Sequence, residues 1–252
     1  MTGDGVPLLS VHGLGRRYGA VQALAGVDLE VNAGEVLAIC GDNGAGKSTL
    51  IRLISGADTP SEGEIRLRGR AVRFASPQDA LARGVATIYQ DLALAPRLAI
   101  YQNVYMGAEL TRGIGPLRVL DRKAMVDGAR GYLARLGSSV GDTRRAVATL
   151  SGGQRQSVAI ARALRWNAEV VIMDEPTAAL GVKETAQVLD LIRALHAGGK
   201  TVLLISHNMA DVVAVAGRVA ILKQGRKVVD RPVAGLDADA LGHLVMTGRE
   251  AA

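Results

Sequence analysis

One segment of the chain has the residue types needed to bind a triphosphate. Its sequence, Gly41-Asp42-Asn43-Gly44-Ala45-Gly46-Lys47-Ser48-Thr49, fits the phosphate-binding loop pattern G-x-x-x-x-G-K-[ST] at every fixed position. The glycines let the backbone curl, so that consecutive N–H groups converge on phosphate oxygens. Lys47 can then reach the β- and γ-phosphates, and the Ser48 hydroxyl can bind Mg²⁺.

The residues on either side of this loop predict the strand and the helix that it requires. The segment 35–40 is apolar enough for a buried strand, and the segment 47–55 has its leucines and Ile54 on one helical face, ahead of Gly56. A glycine-rich turn without a ligand is the alternative, and this context together with the Lys-Ser pair disfavours it.

Four polar residues come at the ends of other apolar, strand-like segments: Gln90, Asp174, Glu175 and His207. Open α/β sheets bind ligands at the carboxyl ends of their parallel strands. At such a position Asp174 can lie near Mg²⁺, and Glu175 can orient a water molecule. A lone histidine is usually structural or exposed. The position of His207 at the same end of the sheet favours a role in the site.

The segment Leu150-Ser151-Gly152-Gly153-Gln154 predicts the start of a helix. Ser151 and Gln154 form an S-x-x-Q capping box. Capping explains these two residues but not the paired glycines between them, which weaken a first helical turn. Glycines at a helix start are explained if a phosphate must approach the backbone closely.

Tyr18 is the aromatic residue that precedes Gly19, ahead of the phosphate loop. An exposed ring at this position can stack on an adenine. A half-buried tyrosine that packs against its own sheet is the alternative, and it is about equally common.

Composition indicates a folded protein of one large or two small domains. The chain has 252 residues, of which 48% are hydrophobic and 21% are charged. No apolar run approaches the length that spans a bilayer, and residues 1–5 have neither the basic start nor the apolar stretch of a signal peptide. We therefore expect the chain to stay in the cytosol. Cys40, the single cysteine, excludes an internal disulfide and is expected to pack as a small hydrophobe.

The net charge of +6 and the pI near 9.8 raise the question of nucleic-acid binding. The arginines are scattered, and the local run Arg66, Arg68 and Arg70 alternates with Ile65 and Leu67 as on the solvent face of a strand. One Phe and one Trp leave few rings for base stacking. We therefore expect a solvated surface and no nucleic-acid partner.

The order of the predicted elements divides the chain into a strand-rich part and a helical insertion. Short strand-like runs come before the phosphate loop, and helical spacing dominates from residue 91 to about residue 166. The stretch 92–106 has more apolar side chains than a small insertion needs for its own core. These side chains either pack internally or form a groove for a partner. Alternating strands and helices then follow to a closing hairpin at Gln224-Gly225.

Taken in order, these motifs resemble the ATP-binding cassette of ABC transporters, over nearly the whole chain. The segment 41–48 resembles the Walker A loop, Gln90 the Q-loop, the segment 150–154 the LSGGQ signature, and the segment 170–174 Walker B. Glu175 is similar to the catalytic glutamate, His207 to the switch histidine, and Tyr18 to the adenine-stacking residue.

The resemblance implies an α/β fold. This fold has a P-loop NTPase core with a mostly parallel sheet, an N-terminal antiparallel β subdomain and an α-helical insertion subdomain. The resemblance further implies a single ABC ATPase domain over residues 1–252. The core and the β subdomain would occupy about residues 1–90 and 167–252, and the helical subdomain about residues 91–166.

The resemblance also assigns roles around ATP and Mg²⁺. In the family, two cassettes pair head to tail, and ATP lies between the Walker A loop of one subunit and the signature of the other. Lys47 and the loop amides would hold phosphate, while Ser48, Gln90 and Asp174 would hold the metal. Glu175 would polarise the attacking water, and His207 would contact the γ-phosphate. Residues Ser151, Gly152, Gly153 and Gln154 would complete the partner's site.

A finer resemblance is to importer cassettes for ribose, xylose and fructose, through the segments 41–48, 89–94 and 175–181. It implies a membrane permease, a secreted sugar-binding protein and a location at the cytoplasmic face of the cell membrane. Most members fuse two cassettes, whereas this chain has one, so two copies should pair. The usual D-loop acid is Gly181 here, which weakens inference about communication between the sites.

Two rival interpretations use the same motifs. A soluble ABC ATPase that acts on DNA or ribosomes would need a long coiled coil or tandem cassettes, and neither is present in the sequence. A cassette of another importer or of an exporter is the second rival. Neighbouring genes would discriminate it, since a sugar importer should lie beside a permease and a secreted binding protein.

Overall fold

The computed structural model describes residues 5–113 and 117–248. Residues 1–4, on which part of the signal-peptide argument depends, lie outside the described residues. Within those ranges no helix combines the length and the apolarity needed to cross a bilayer.

A six-stranded sheet forms the centre of the molecule. Its strands are β3 (Val36–Cys40), β6 (Val85–Ile88), β9 (Val170–Asp174), β10 (Thr201–Ile205), β11 (Arg218–Lys223) and β12 (Arg226–Pro232). The spatial order is β12-β11-β3-β10-β9-β6, and every neighbouring pair is parallel except β11 and β12. The sequence predicted the five parallel strands because side chains buried on both faces produce continuous apolar runs, and it placed the exposed edge strand β12 as the second half of a closing hairpin.

A second, antiparallel sheet comes mainly from the N-terminal part of the chain. Its strands are β1 (Leu9–Tyr18), β2 (Val21–Val31), β4 (Glu62–Leu67) and β5 (Arg70–Val72), in the order β2-β1-β4-β5. The first two strands are longer than their apolar ends at residues 8–11 and 27–31 predicted, because polar residues continue the hairpin to Tyr18 and Val21. Arg66 is exposed between the buried Ile65 and Leu67, which confirms the predicted solvent face.

Eight α-helices lie in the described ranges. They are α1 (Lys47–Ile54), α2 (Pro77–Ala82), α3 (Ile100–Tyr105), α4 (Arg122–Arg135), α5 (Gly152–Arg165), α6 (Val182–Ala197), α7 (Met209–Val215) and α8 (Ala238–Thr247). Helical spacing predicted α1, α4, α5, α6 and α7. The short helices α2 and α3, the helix α8 and a small sheet of β7 (Thr111–Arg112) and β8 (Val119–Leu120) were not predicted.

The apolar residues between 92 and 106 divide between the two alternatives. Ile100, Val104 and Tyr105 are buried in the core on α3 and pack internally. Leu98 and Met106 keep 38% and 37% of their surface exposed. Some of this stretch therefore serves the core of the helical region, and some of it stays available at the surface.

Both faces of the central sheet are covered by apolar layers. Alternate side chains of β3 point to opposite layers: Leu37 and Ile39 join the layer that includes α1 and the antiparallel sheet, and Val36, Ala38 and Cys40 join the layer with α5 and α6. Cys40 is fully buried, as predicted, and burial raises the pKa of its thiol to about 12. The fold thus agrees with the predicted α/β class, in which covered sheets present ligand sites at their strand ends.

Candidate functional site

Four neighbouring strands bring the predicted catalytic and metal-binding residues to one edge of the central sheet. The pairings Ile39 with Ile205, and Ile205 with Asp174, align the ends of β3, β10 and β9. Ile88 pairs with Met173, so the end of β6 lies at the same level. The residues that follow these strands are the phosphate loop, His207, Glu175 and Gln90. The predicted convergence at the carboxyl ends of the strands is therefore observed.

The phosphate loop depends on glycines at positions where a side chain does not fit. Gly41, Gly44 and Gly46 have φ values of 151°, 79° and 104°, in the region that favours glycine. A Cβ on Gly41 would lie 2.3 Å from the carbonyl oxygen of Leu222, and one on Gly46 would lie 2.9 Å from that of Ala23. The loop is thus held against β2 and the β11–β12 hairpin.

The turn of that hairpin connects the loop to the antiparallel sheet. The Gly225 N–H donates to the Ala45 carbonyl at 3.0 Å, and the Ala25 N–H donates to the Gly225 carbonyl at 2.8 Å. Sequence analysis identified Gln224-Gly225 as a turn, but a local pattern gives no sign of its contact with a loop almost 180 residues earlier. The bracing residues around the loop were therefore missed.

The mouth of the loop is open and carries a positive charge. Asp42, Asn43 and Gly44 are exposed, and no side chain caps the N-terminus of α1 at Gly46. The Lys47 Nζ donates to the carbonyl oxygens of Gly41, at 2.5 Å, and Asp42, at 3.1 Å. Uncapped amides at a helix start, together with an ammonium group, are suited to a polyphosphate.

The two adjacent acids, Asp174 and Glu175, differ in their surroundings. Burial raises the pKa of the Asp174 carboxyl, the neighbouring Glu175 raises it further, and the charge of Lys47 opposes both. Glu175 Oε2 lies 2.7 Å from His207 Nδ1, and the backbone N–H of His207 donates to the same oxygen at 3.4 Å. Glu175 has a φ of 50°, a conformation that costs a non-glycine residue about 1–3 kcal/mol and that turns its side chain out of the strand direction.

The donor set at this edge is suited to Mg²⁺. Ser48, Gln90 and Asp174 offer a hydroxyl, an amide and a carboxylate oxygen, which are the ligand types that Mg²⁺ prefers. Across the part of the chain that the structure describes, no cluster of three or more His, Cys, Asp or Glu residues could hold a metal.

Tyr18 lies at the end of β1 with 42% of its surface exposed. Its hydroxyl donates to Asp58 Oδ2 at 2.6 Å, and the Arg16 guanidinium lies 4.8 Å from the ring centroid and 2.7 Å from Asp58 Oδ1. Burial opposes the ionisation of Asp58, but the Tyr18 and Thr59 hydrogen bonds and the nearby arginines hold its pKa below the usual value. Arg16 is thus part of a fixed cluster rather than a solvated arginine, and its guanidinium covers one face of the Tyr18 ring, which keeps part of its surface exposed.

The capping box of the signature, residues 150–154, is confirmed. The Gln154 N–H donates to Ser151 Oγ at 3.3 Å, and the Ser151 N–H donates to Gln154 Oε1 at 3.2 Å. A Cβ on Gly152 would lie 2.5 Å from Leu180 Cδ2, and one on Gly153 would lie 2.6 Å from Gln187 Oε1. The two glycines therefore also allow α5 to pack closely on α6, which the sequence did not predict.

The predicted site residues thus form separate groups in a single chain. Among the described residues, the hydrogen bonds of residues 151–154 stay within the signature and the rest of α5 or reach Ser139 and Glu184, and none of them reaches the phosphate loop. The hydrogen bond from the Tyr18 hydroxyl likewise goes to Asp58. Sequence analysis also missed Gln156 and Glu184, which contact the segment after Glu175 and the signature respectively.

Comparison with known proteins identifies relatives over most of the chain. The chain is 51% identical to the fructose import ATP-binding protein FrcA of Rhizobium meliloti, over 88% of this chain and 87% of the relative. It is 46% identical to the xylose/arabinose import ATP-binding protein XylG of Sulfolobus acidocaldarius, over 87% and 86%. The ribose import ATP-binding protein RbsA 3 of Rubrobacter xylanophilus is 42% identical over 97% of this chain, which spans 48% of that relative.

Solved structures of similar fold are also ATP-binding cassettes. The cassette MJ1267 of an ABC transporter superposes with a TM-score of 0.82 at 26% identity, covering 96% of this chain and 98% of that chain. The dimeric post-hydrolysis state of the cassette MJ0796, bound to ADP and Pi, gives a TM-score of 0.74 at 26% identity, over 90% and 100%. The family model described as "ABC transporter" matches residues 24–178. With the strand-end site, the phosphate loop and the signature in this arrangement, the chain belongs to the ATP-binding cassette family of ABC transporters.

Proposed function

We propose that this chain is the ATP-hydrolysing subunit of an importer for a monosaccharide. The observation that carries the proposal is the carboxyl edge of the central sheet, where the Glu175 carboxylate lies 2.7 Å from His207 Nδ1 and follows directly on Asp174. Asp174 is also within the electrostatic reach of Lys47. The sugar-import names of relatives that are 41–51% identical support the substrate class.

Each group at this edge has a task in phosphoryl transfer to water. The amides of the loop 41–49 and the Lys47 ammonium hold the phosphates, and Tyr18 offers its exposed ring to the adenine. Ser48, Gln90 and Asp174 would hold Mg²⁺, which when bound would supply positive charge against the phosphates of ATP. Glu175 accepts a proton from the attacking water, and His207 holds the Glu175 carboxylate and reaches the γ-phosphate. Positioning and charge neutralisation provide most of the catalysis in such reactions.

A second copy of the chain completes each site in this proposal. Residues 151–154 lie apart from the phosphate loop of their own chain, so they serve the ATP bound to the partner. The positive end of α5 and its glycine backbone then face the γ-phosphate. The solved dimer of the similar cassette MJ0796 with ADP and Pi supports a pair of cassettes.

A membrane permease is the partner that the proposal requires, and it would hold the chain at the cytoplasmic face of the membrane. A cavity of about 350 Å³ opens between the central sheet and the helical region, and it is lined by residues that include Leu81, Ile88, Met106 and Trp166. Its partly apolar wall and the exposed Met106 are suited to a short amphipathic segment of the permease. Tyr89, which also lines this cavity, directly precedes Gln90, so docking there can reach the metal site.

Deletion of the gene, followed by uptake assays with labelled fructose, xylose, arabinose and ribose, tests the proposal. We expect loss of uptake of at least one of these sugars, and restoration by the wild-type chain but not by Lys47→Ala. Met106→Glu should also abolish uptake while the purified chain keeps its fold and its basal ATP hydrolysis. Unchanged uptake of all four sugars in the deletion strain would contradict the sugar-import assignment, whether or not the purified chain hydrolyses ATP.

A further inference from the structure

Two hydrogen bonds attach the N-terminal part of α5 to α6 and to the segment that follows Glu175. The Gly152 N–H donates to Glu184 Oε1 at 2.9 Å, and the Gln156 Nε2 donates to the Pro176 carbonyl at 2.9 Å. Gln156 is only 6% exposed, and within the described ranges its Oε1 forms no hydrogen bond. A buried N–H that lost its acceptor would remain desolvated, so the bond to Pro176 favours a fixed geometry for this contact.

The packing around these bonds leaves little freedom for independent movement. The positions where Gly152 and Gly153 would carry a Cβ are filled by Leu180 and Gln187, which belong to the segment after Glu175 and to α6. The contact therefore joins α5 and α6 through both hydrogen bonds and close packing. Because closely packed side chains have little room to adjust, a displacement of α5 is expected to move α6 and the segment before it.

The segment from Glu175 to Gly181 is itself a series of tight turns. The Ala178 N–H donates to the Glu175 carbonyl at 3.1 Å, and the Leu180 N–H donates to the Thr177 carbonyl at 3.2 Å. Glu175 and Ala179 both have left-handed backbone conformations, with φ values of 50° and 59°. A shift of Glu175 therefore carries the Pro176 carbonyl, and with it the acceptor of Gln156.

The start of α6 has no side-chain cap of its own. Gly181 is the N-cap residue of α6, and no side chain bonds to the first amides of that helix. Glu184, in the first turn of α6, instead bonds across to Gly152 of the signature. The connection between the segment after Glu175 and the signature thus depends on Gln156 and Glu184.

We infer that Gln156 and Glu184 are positioning residues that couple the two ATP sites of the dimer. The inference rests on the proposed function, in which Glu175 acts on the ATP of its own subunit and residues 151–154 of the same subunit act on the ATP of the partner. The contact between α5 and the segment after Glu175 then joins one site to the other within each chain. Neither residue touches ATP.

Steady-state hydrolysis as a function of ATP concentration tests this inference with Gln156→Met and Glu184→Ala. Both variants should keep the wild-type KM and nucleotide affinity, because ATP still binds at the Lys47 loop. The kcat should fall about tenfold, because each variant loses one hydrogen bond between α5 and the neighbouring segment, and the free energy of one hydrogen bond corresponds to about a tenfold change in rate. We expect a Hill coefficient above 1 in the wild type and a value closer to 1 in both variants.

Two further variants separate coupling from simple packing. Glu184→Gln keeps the acceptor for the Gly152 N–H and should recover most of the kcat and the Hill coefficient. Asp190→Ala, on the same helix but at an exposed position where Asp190 pairs with Arg193, should behave as the wild type. Thermal unfolding checks that each variant is folded.

The outcomes separate this inference from the proposed function. Wild-type kcat and Hill coefficient in Gln156→Met and Glu184→Ala would overturn the inference and leave the ATPase proposal intact. A Hill coefficient of 1 in the wild-type chain would also overturn the inference and leave the ATPase proposal intact. The same conclusion would follow if Glu184→Gln lowered kcat as much as Glu184→Ala does. A wild-type chain that binds no ATP would contradict the proposed function itself.

Discussion

The two edges of the central sheet hold buried charge in opposite ways. At the amino edge, the Arg218 guanidinium bonds to Asp230 at 2.7 and 2.9 Å and to Glu35 at 3.2 Å, and the Lys227 Nζ bonds to Asp230 at 2.7 Å. At the carboxyl edge, Asp174 and Glu175 are adjacent acids. The nearest ammonium group, that of Lys47, donates its hydrogen bonds to backbone carbonyls.

The pKa values of the half-buried Asp174 and Asp230 shift in opposite directions for this reason. Burial opposes the ionisation of Asp230, but its hydrogen bonds and charge interactions with Arg218 and Lys227 lower its pKa below the usual value. At Asp174 burial and the neighbouring Glu175 prevail over Lys47, and the pKa is raised. The acids of the amino edge are therefore stabilised in their ionised form by cations of the chain itself, whereas ionisation of Asp174 at the carboxyl edge is disfavoured, as suits a position that receives a cation with its ligand.

The largest expected effect is that of Glu175→Gln on hydrolysis. The amide keeps the shape of the side chain but loses the basic carboxylate, so we expect kcat to fall about a thousandfold. ATP binding should persist, and ATP with Mg²⁺ should accumulate this variant as a dimer. Phosphate release, nucleotide titration and sedimentation with and without ATP measure these three properties.

The matched control for this variant lies at the other end of the same strand. Glu169 directly precedes β9 at the amino edge and pairs with Arg68, so Glu169→Gln should hydrolyse ATP at the wild-type rate. Lys47→Ala should instead lose nucleotide affinity. Near-normal turnover in Glu175→Gln would show that Glu175 is not the base. The predicted functional difference between the carboxyl edge and the amino edge would then be wrong.

Asp230→Asn should have the converse effect, with lower stability and unchanged hydrolysis. The substitution weakens charge-assisted hydrogen bonds at the amino edge, so we expect the free energy of unfolding to fall by about 2 kcal/mol. Because the folded pKa of Asp230 is lowered, its contribution is present at neutral pH and is lost as the pH falls below 3.8 and through the folded pKa. Urea unfolding at neutral and acidic pH measures both effects.

An exposed acid provides the control for this stability prediction. Asp190 pairs with Arg193 on the surface of α6, and Asp190→Asn should change the free energy of unfolding by less than about 0.5 kcal/mol. If Asp230→Asn left stability unchanged, the amino edge would not differ from an ordinary charged surface.

The two edges also differ in how well their residues could be predicted from the sequence alone. Gln90, Asp174 and His207 were predicted to meet because each follows an apolar strand, and the strand ends of a parallel sheet are a local signal. The Arg218 network was not predicted, because Arg218 and Glu35 are separated by 183 residues and neither lies in a motif. Tertiary contacts of this kind leave no periodic pattern.

The helical part of the molecule shows the same limit. The capping box at Ser151 was predicted from two residues of one turn, and it is confirmed. The packing of Gly152 against Leu180 involves residues 28 positions apart, so the glycines could be attributed only to an approaching phosphate. The short helices α2 and α3 have six residues each, too few for helical periodicity to be distinguished from a loop.

The smallest expected effect is a gain in stability from Asp174→Asn. The pKa of Asp174 is raised in the folded state, so ionisation of this carboxyl lowers the free energy of unfolding. This loss is absent below pH 3.8, where the carboxyl is protonated in both states, and it grows as the pH rises through the folded pKa. Without nucleotide, the variant should therefore match the wild type in acid and exceed its Tm by about 2–4 °C at neutral pH. With ATP and Mg²⁺ the wild type should instead have the higher Tm, because the Asp174 carboxylate offsets the charge of the bound cation and the Asn amide does not. Thermal unfolding across pH, with and without ligand, measures both differences, and a variant less stable than the wild type at neutral pH without ligand would show that the chain already neutralises Asp174.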